Sequence, residues 1–193
     1  MTPSTSHTPW VDHYPAGLSW DEPVAASPVF DLLARTVTAY GHRPAFDFLG
    51  FKLTWDDIYQ RALKFAKGLE NLGVRKGTKV GICLPNCPYF IIAYYAAMRL
   101  GATVVNVNPL YAEAELARMI EDSETDVMVT LDLALLFSKM QKMLHDTRLN
   151  HVVVCPFTDV LPFPKNFLFR LFKGREIAEI PVSKRISLYA DFM

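Results

Sequence analysis

Lys79-Val80-Gly81-Ile82-Cys83-Leu84, followed by Pro85-Asn86-Cys87-Pro88, and then Thr103-Val104-Val105-Asn106-Val107, running into Asn108-Pro109-Leu110-Tyr111, decide the fold of this chain. Each is a short run rich in β-branched and apolar residues that ends in turn-forming residues, the pattern of a buried strand. Between them lies the apolar segment Tyr89 to Leu100, closed by Gly101-Ala102. Working outward, Leu53-Thr54-Trp55 opens a helix whose apolar residues Ile58, Ala62, Phe65, Ala66, Leu69 and Leu72 recur at helical spacing, while Arg61, Lys64, Lys67 and Glu70 form the wet face. Thr54 and Asp57 have the spacing of a capping box, with Asp in the place usually taken by Glu or Gln. Gly73 stands where a helix ends in a left-handed residue. The alternation continues with Ala112 to Ser123 as a helix, Asp126 to Thr130 as a strand, Leu133 to His145 as a helix and His151 to Cys155 as a strand. Four apolar strands separated by helices imply a mostly parallel, doubly wound α/β sheet covered on both faces.

The flanks extend this plan. Pro28 opens a short amphipathic helix in which Phe30, Leu33 and Val37 share a face, ending near Gly41. Ala45-Phe46-Asp47-Phe48 and Phe51-Lys52-Leu53 flank Leu49-Gly50, which predicts an antiparallel hairpin with glycine at a positive φ. Residues 1–27, rich in Pro, Ser, Thr and Trp, read as an extended arm. Residues 28–155 read as the α/β domain, and 156–193 as an irregular tail of proline, aromatic and basic residues.

Composition removes several function classes. Of 193 residues, 51% are hydrophobic, enough for a sizeable core and too apolar for disorder. Twenty basic residues against twenty acidic ones leave no net charge, so the footprint of a nucleic-acid binder is missing. Three cysteines are too few for a disulfide framework and fit a reducing cytoplasm. Met1 to Glu22 lacks the cationic start and apolar centre of a signal peptide. Val80 to Met98 carries no charge over nineteen positions, yet the Pro85–Pro88 turn divides it. The helix left over is about 18 Å long, against a hydrocarbon thickness of about 30 Å, so it is a candidate for burial instead of for a membrane.

At Leu84-Pro85-Asn86, at Asn106-Val107-Asn108-Pro109-Leu110-Tyr111 with Glu115-Leu116, and at Leu161-Pro162-Phe163-Pro164-Lys165-Asn166, the chain resembles the N-terminal region of AMP-forming acyl-CoA ligases of the adenylate-forming superfamily. Trp10, Tyr14-Pro15, Trp20-Asp21 and Arg43-Pro44-Ala45 resemble the start of its bacterial long-chain fatty acid branch. The resemblance implies activation of a fatty acid with ATP and Mg²⁺ to an acyl-adenylate and pyrophosphate, then transfer to the thiol of coenzyme A. It also implies an incomplete, N-terminal portion of a larger domain. The Ser/Thr/Gly phosphate loop, the Mg²⁺ carboxylate and the late lysine of the family lie C-terminal to the matched region. The nine glycines are scattered and form no phosphate-binding fingerprint. No catalytic, cofactor-binding or metal-ligating residue is therefore assigned, and the chain alone is expected to be inactive.

Individual residues carry lesser candidacies, each beside a plainer alternative. Asn106 and Asn108 stand at the carboxyl end of a parallel strand, where open α/β sheets bind ligands, but asparagines before proline more often organise loops. Cys83 and Cys87 fit buried thiols better than a metal site. His145 and His151 are expected at the surface. Tyr94, Tyr95 and Met98 fit either an acyl pocket or core, with core favoured. Phe167, Phe169, Arg170, Phe172 and Lys173 mix aromatics with cations in a way that suits peripheral contact with a membrane surface, the alternative being a helix docked on further protein. Two competing functions stay in view: a free-standing, non-catalytic α/β binding or scaffolding module, and, more weakly, a flavodoxin-like nucleotide binder.

Overall fold

The hairpin forms where the sequence places it. In the computed structural model, which describes residues 8–23 and 25–193, β1 (Pro44–Phe48) pairs antiparallel with β2 (Phe51–Thr54). Leu49 and Gly50 both take positive φ, 56° and 97°. Two such residues in succession turn the chain with the twist of the flanking strands, and the Gly50 N–H donates to Asp47 Oδ1 at 2.9 Å. Before the hairpin, α1 (Val29–Tyr40) runs to Gly41 and turns Phe30 and Leu33 inward. After it, α2 (Trp55–Asn71) starts on a complete capping box. The Asp57 N–H donates to Thr54 Oγ1 at 3.1 Å, and the Thr54 N–H donates to Asp57 Oδ2 at 2.9 Å. Aspartate thus serves in the place of the usual glutamate, and these hydrogen bonds hold its carboxyl below the ordinary range.

Five strands form the parallel sheet: β3 (Lys79–Ile82), β4 (Thr103–Asn106), β5 (Val127–Leu131), β6 (His151–Cys155) and β7 (Ile186–Leu188), in the order β4-β3-β5-β6-β7. The chain leaves β3 through α3 (Pro88–Arg99) to β4 on one side, then returns through α4 (Glu113–Asp122) to β5 on the other side and onward through α5 (Ala134–Asp146) to β6. The direction of winding therefore reverses between β3 and β5, and right-handed crossovers place the helices of the two directions on opposite faces.

Burial follows that plan with the period of two that strands impose. Val127, Val129, Leu131, Val153 and Cys155 join α1, α2 and α3 in one core. Met128, Val152 and Val154 join α4 and α5 in the other, with Leu116, Ile120, Phe137 and Met140. No helix among the described residues is long and apolar enough to cross a membrane.

Two expectations are corrected. Residues 8–23 of the arm are not simply extended: a 3-10 turn at Val11–His13 and a cluster of Trp10, Tyr14 and Trp20 rings fold it on itself. Residues 1–7 and 24 of that arm lie outside the described residues. Nor is the segment from 156 irregular. It contains a 3-10 turn (Phe157–Val160), α6 (Lys165–Lys173), the strand β7, which adds a fifth member to the four expected, and a last 3-10 turn, Tyr189–Phe192. Ile-Ser-Leu is too short to carry a periodic signal. The last turn rests on α2: the Phe65 and Phe192 rings are 5.3 Å apart, and a Cβ at Gly68 would meet the Phe192 ring at 2.2 Å.

Candidate functional site

Reversal of winding opens a crevice at the carboxyl ends of β3 and β5, the place where open α/β sheets bind ligands. The end of β3 is pinned from both sides, since the Cys83 N–H donates to the Val129 carbonyl at 2.9 Å and the Val107 N–H donates to the Ile82 carbonyl at 3.0 Å. Beyond it Pro85 and Asn86 turn the chain, Cys87 precedes α3, and Pro88 takes the first helical position, where its missing N–H costs nothing. Beside this turn is a cavity of about 470 Å³ lined by Phe46, Asn86, Cys87, Phe90, Ile91, Tyr94 and Tyr95. Its walls are aromatic and aliphatic, with one exposed amide at Asn86. Tyr94 and Tyr95 meet edge to face at 5.5 Å and are half-buried, serving both as packing and as cavity wall. Met98 is half-buried and does not line the cavity.

The thiols at and near this wall are not activated as nucleophiles. Burial pushes the Cys87 thiol up, and the Cys83 thiol up to about 11, so both stay protonated at neutral pH. Cys155 is fully buried, and burial raises its thiol well above the ordinary value. Among the described residues, no cluster of three His, Cys, Asp or Glu side chains is placed to hold a metal ion.

A residue that sequence reasoning passed over, Asp132, follows β5 at the same edge. Burial raises its carboxyl pKa, and one oxygen accepts the Phe157 N–H at 2.7 Å. Its backbone N–H donates to the Cys155 carbonyl at 3.0 Å, and its carbonyl accepts the Ala178 N–H at 2.7 Å. Asp132 thus ties β5 to the chain leaving β6. The available signal was an acid directly after a strand buried along its whole length.

The other candidates separate. Asn108 Oδ1 accepts the Leu110 N–H at 3.0 Å, so this asparagine organises its loop. That loop is latched to α5 by Lys139, whose ammonium donates to the Tyr111 carbonyl at 2.7 Å. Asn106 ends β4, exposed. His145 is a surface residue paired with Asp146 at 2.7 Å. His151 departs from expectation: it opens β6, half-buried, with Nε2 2.9 Å from Ser187 Oγ of β7.

Of the tail residues, Phe167 and Phe172 are exposed, at 58% and 77%. Phe169 instead turns inward onto Phe157, with ring centroids 5.1 Å apart. Arg170 donates to Thr158 Oγ1 at 2.8 Å and pairs with Asp159 at 3.3 Å, while Lys173 pairs with Glu176 at 2.9 Å. The aromatic-basic cluster is therefore split, with two rings outside and its cations already in use.

Known proteins share this arrangement. Residues 33–177 match the family model described as AMP-binding enzyme. The chain is 36% identical over 172 residues to a long-chain-fatty-acid–CoA ligase of Bacillus subtilis (strain 168), covering 89% of this chain and 30% of that protein. It is 29% identical over 170 residues to the enzyme of the same description from Escherichia coli O6:H1, covering 85% of this chain and 30% of that one. Among solved structures, a long-chain-fatty-acid-CoA ligase from Archaeoglobus fulgidus superposes with a TM-score of 0.60 at 27% identity, over 66% of this chain and 27% of that chain. The chain thus spans about 30% of the length of the curated relatives it matches. With the matched model covering most of its length, the chain belongs to the AMP-binding enzyme family.

Proposed function

We propose that this chain is the N-terminal portion of a long-chain fatty acid–CoA ligase, supplying the doubly wound scaffold on which the complete enzyme forms an acyl-adenylate and passes the acyl group to coenzyme A. The carrying observation is the 36% identity to a bacterial ligase over 89% of the chain. ATP, Mg²⁺ and coenzyme A belong in this proposal to the complete enzyme. Preorganised donors aimed at developing charge supply much of the catalysis in such reactions, and the cavity between the hairpin and α3 offers an aromatic wall in their place. The arm at 1–27, the domain portion at 28–155 and the segment 156–193 would then be successive parts of one opening region.

Two measurements test this. Purified chain given palmitate, ATP and Mg²⁺ should show no pyrophosphate exchange. A chimera in which the chain replaces the corresponding 30% of the Bacillus subtilis ligase should make palmitoyl-CoA; a folded, inactive chimera would overturn the proposal and favour a free-standing binding module. The proposed address is the cytoplasm, with peripheral contact at the inner face of the membrane. Support for that contact is the exposure of Phe167 and Phe172, while Phe169, Arg170 and Lys173 are held by the protein itself.

A further inference from the structure

Helix α3 differs from the other sheet-covering helices on its outer side. Ile92, Ala93, Ala96 and Ala97 are buried in the core that α3 shares with α1 and α2. Phe90, Ile91, Tyr94, Tyr95 and Met98, one or four positions apart and so on a single stripe, are only half-buried. No charged side chain occurs from Pro88 to Met98. The other helices have wet outer faces: α2 exposes Lys64, Lys67 and Glu70, α4 exposes Arg118 and Asp122, and α5 exposes Lys142 and Asp146. A helix that is apolar all round belongs in an interior. Here one side of it stays half open, with the hollow of about 470 Å³ between this stripe and Phe46 of the hairpin.

Lipid does not suit this stripe. α3 has 12 residues, about 18 Å against a hydrocarbon thickness of about 30 Å, and a helix lying in a membrane surface needs a charged face. A partner that comes and goes does not suit it either, because transient interfaces are as polar as ordinary surface, while permanent ones are more apolar. The permanent cover at hand is the rest of the ligase, since the Bacillus subtilis relative matches this chain over only 30% of its own length. We infer that the outer stripe of α3, with the hollow beside Phe46, is an internal seam of the complete enzyme, closed by the ligase portion that this chain does not contain. α3 then becomes a helix packed on both sides. The inference rests on the ligase reading and adds to it which surface the remainder covers.

The test compares the isolated full chain with the chimera described above. Ile91 lines the hollow and is half-buried, so Ile91→Cys reports access, while the native Cys83, Cys87 and Cys155 are buried. Maleimide labelling at position 91, read by mass spectrometry of its peptide, should be at least about tenfold slower in the chimera than in the isolated chain. Ile91→Lys puts a charge on the stripe. In the isolated chain the lysine stem can lie along the face with its ammonium in water, so the urea midpoint should stay close to wild type. In the chimera the charge would be buried without a partner, and palmitoyl-CoA formation in the soluble fraction should fall at least about tenfold. Equal labelling of the isolated chain and an active chimera, or full activity of the chimera carrying Ile91→Lys, would overturn this inference and leave the ligase proposal standing. A folded, inactive chimera would overturn both. Concentration-dependent dimerisation of the isolated chain that protects position 91 would overturn it as well, by assigning the stripe to a second copy.

Discussion

Helices α2 and α6 are both amphipathic, yet α2 buries Ile58, Ala62, Phe65, Ala66, Gly68 and Leu69 while α6 buries none of its residues. The difference is one of partners, not pattern. α2 lies between the hairpin, α3 and the last turn of the chain, all of which bring apolar side chains to it. α6 sits beyond the carboxyl end of β6, held at a few points: Lys165 on Leu49, Phe169 on Phe157 and Arg170 on Thr158. A helix of nine residues is marginal by itself in water, so those tethers, with no buried stripe of its own, keep it in place. Apolar periodicity thus reports that a face is meant to be covered without saying by what.

Truncation at equivalent points should separate the two helices most widely. Phe65→Ala removes a ring that is 1% exposed and should cost about 3–5 kcal/mol by urea denaturation. Phe172→Ala, at 77% exposure, should change stability by less than about 0.5 kcal/mol. A cost at Phe172 approaching that at Phe65 would mean that α6 packs as core, and the contrast would collapse.

Gly68 sharpens the point from within α2. Alanine normally stabilises a helix interior by about 1 kcal/mol over glycine, but here its Cβ would meet the Phe192 ring at 2.2 Å. Gly68→Ala should therefore destabilise by about 1–3 kcal/mol. In a Phe192→Ala background the same substitution should become neutral or stabilising, a reversal of sign that a double-mutant cycle reads directly. A stabilising Gly68→Ala in the otherwise unaltered chain would show that the Tyr189–Phe192 turn does not rest on α2.

How much of this was legible follows the same division. Strands β3 to β6, the hairpin and α1 to α5 could be read because each announces itself locally, by period, cap or turn residue. Asp57 in the capping box and Gly50 in the hairpin turn act as their positions suggest. β7 was not legible, because its place is set by pairing with Val152, Val153 and Val154, a contact distant in sequence. Phe169 and Phe172 look alike in sequence and are separated by which side of α6 faces Phe157. The cavity was only partly legible: Tyr94 and Tyr95 stood as candidates for a pocket wall, but the strand-end candidacy fell on Asn106 and Asn108, and the cavity is completed by Asn86 and by Phe46 from the hairpin, a juxtaposition no local pattern encodes.

Asp132 tests whether the crevice edge is held together by an acceptor or by a charge. Burial raises its carboxyl pKa above the ordinary 3.8. The folded state therefore binds the proton more tightly, and stability falls as pH rises through 3.8 toward the folded value. Asp132→Asn keeps an acceptor for the Phe157 N–H and removes the buried charge, so it should be at least as stable as wild type at pH 7. Asp132→Ala leaves that N–H unpaired and should cost about 1–3 kcal/mol. Equal losses in both variants would make the charge itself the tether.

The smallest effect lies at His151, where β6 meets the short edge strand. Burial, with Arg185 nearby, lowers its pKa below the ordinary 6.5. The unfolded chain then takes up a proton first as pH falls, so this residue's share of stability is complete above 6.5 and is lost as pH drops below 6.5 through the folded value. Thermal unfolding followed from pH 7.5 to 5 should show that decline in wild type. In His151→Gln, whose amide can still reach Ser187 Oγ but does not titrate, it should be shallower. Identical profiles would mean that His151 is solvated in the folded state, and that β7 closes the sheet edge less tightly than its pairing with β6 implies.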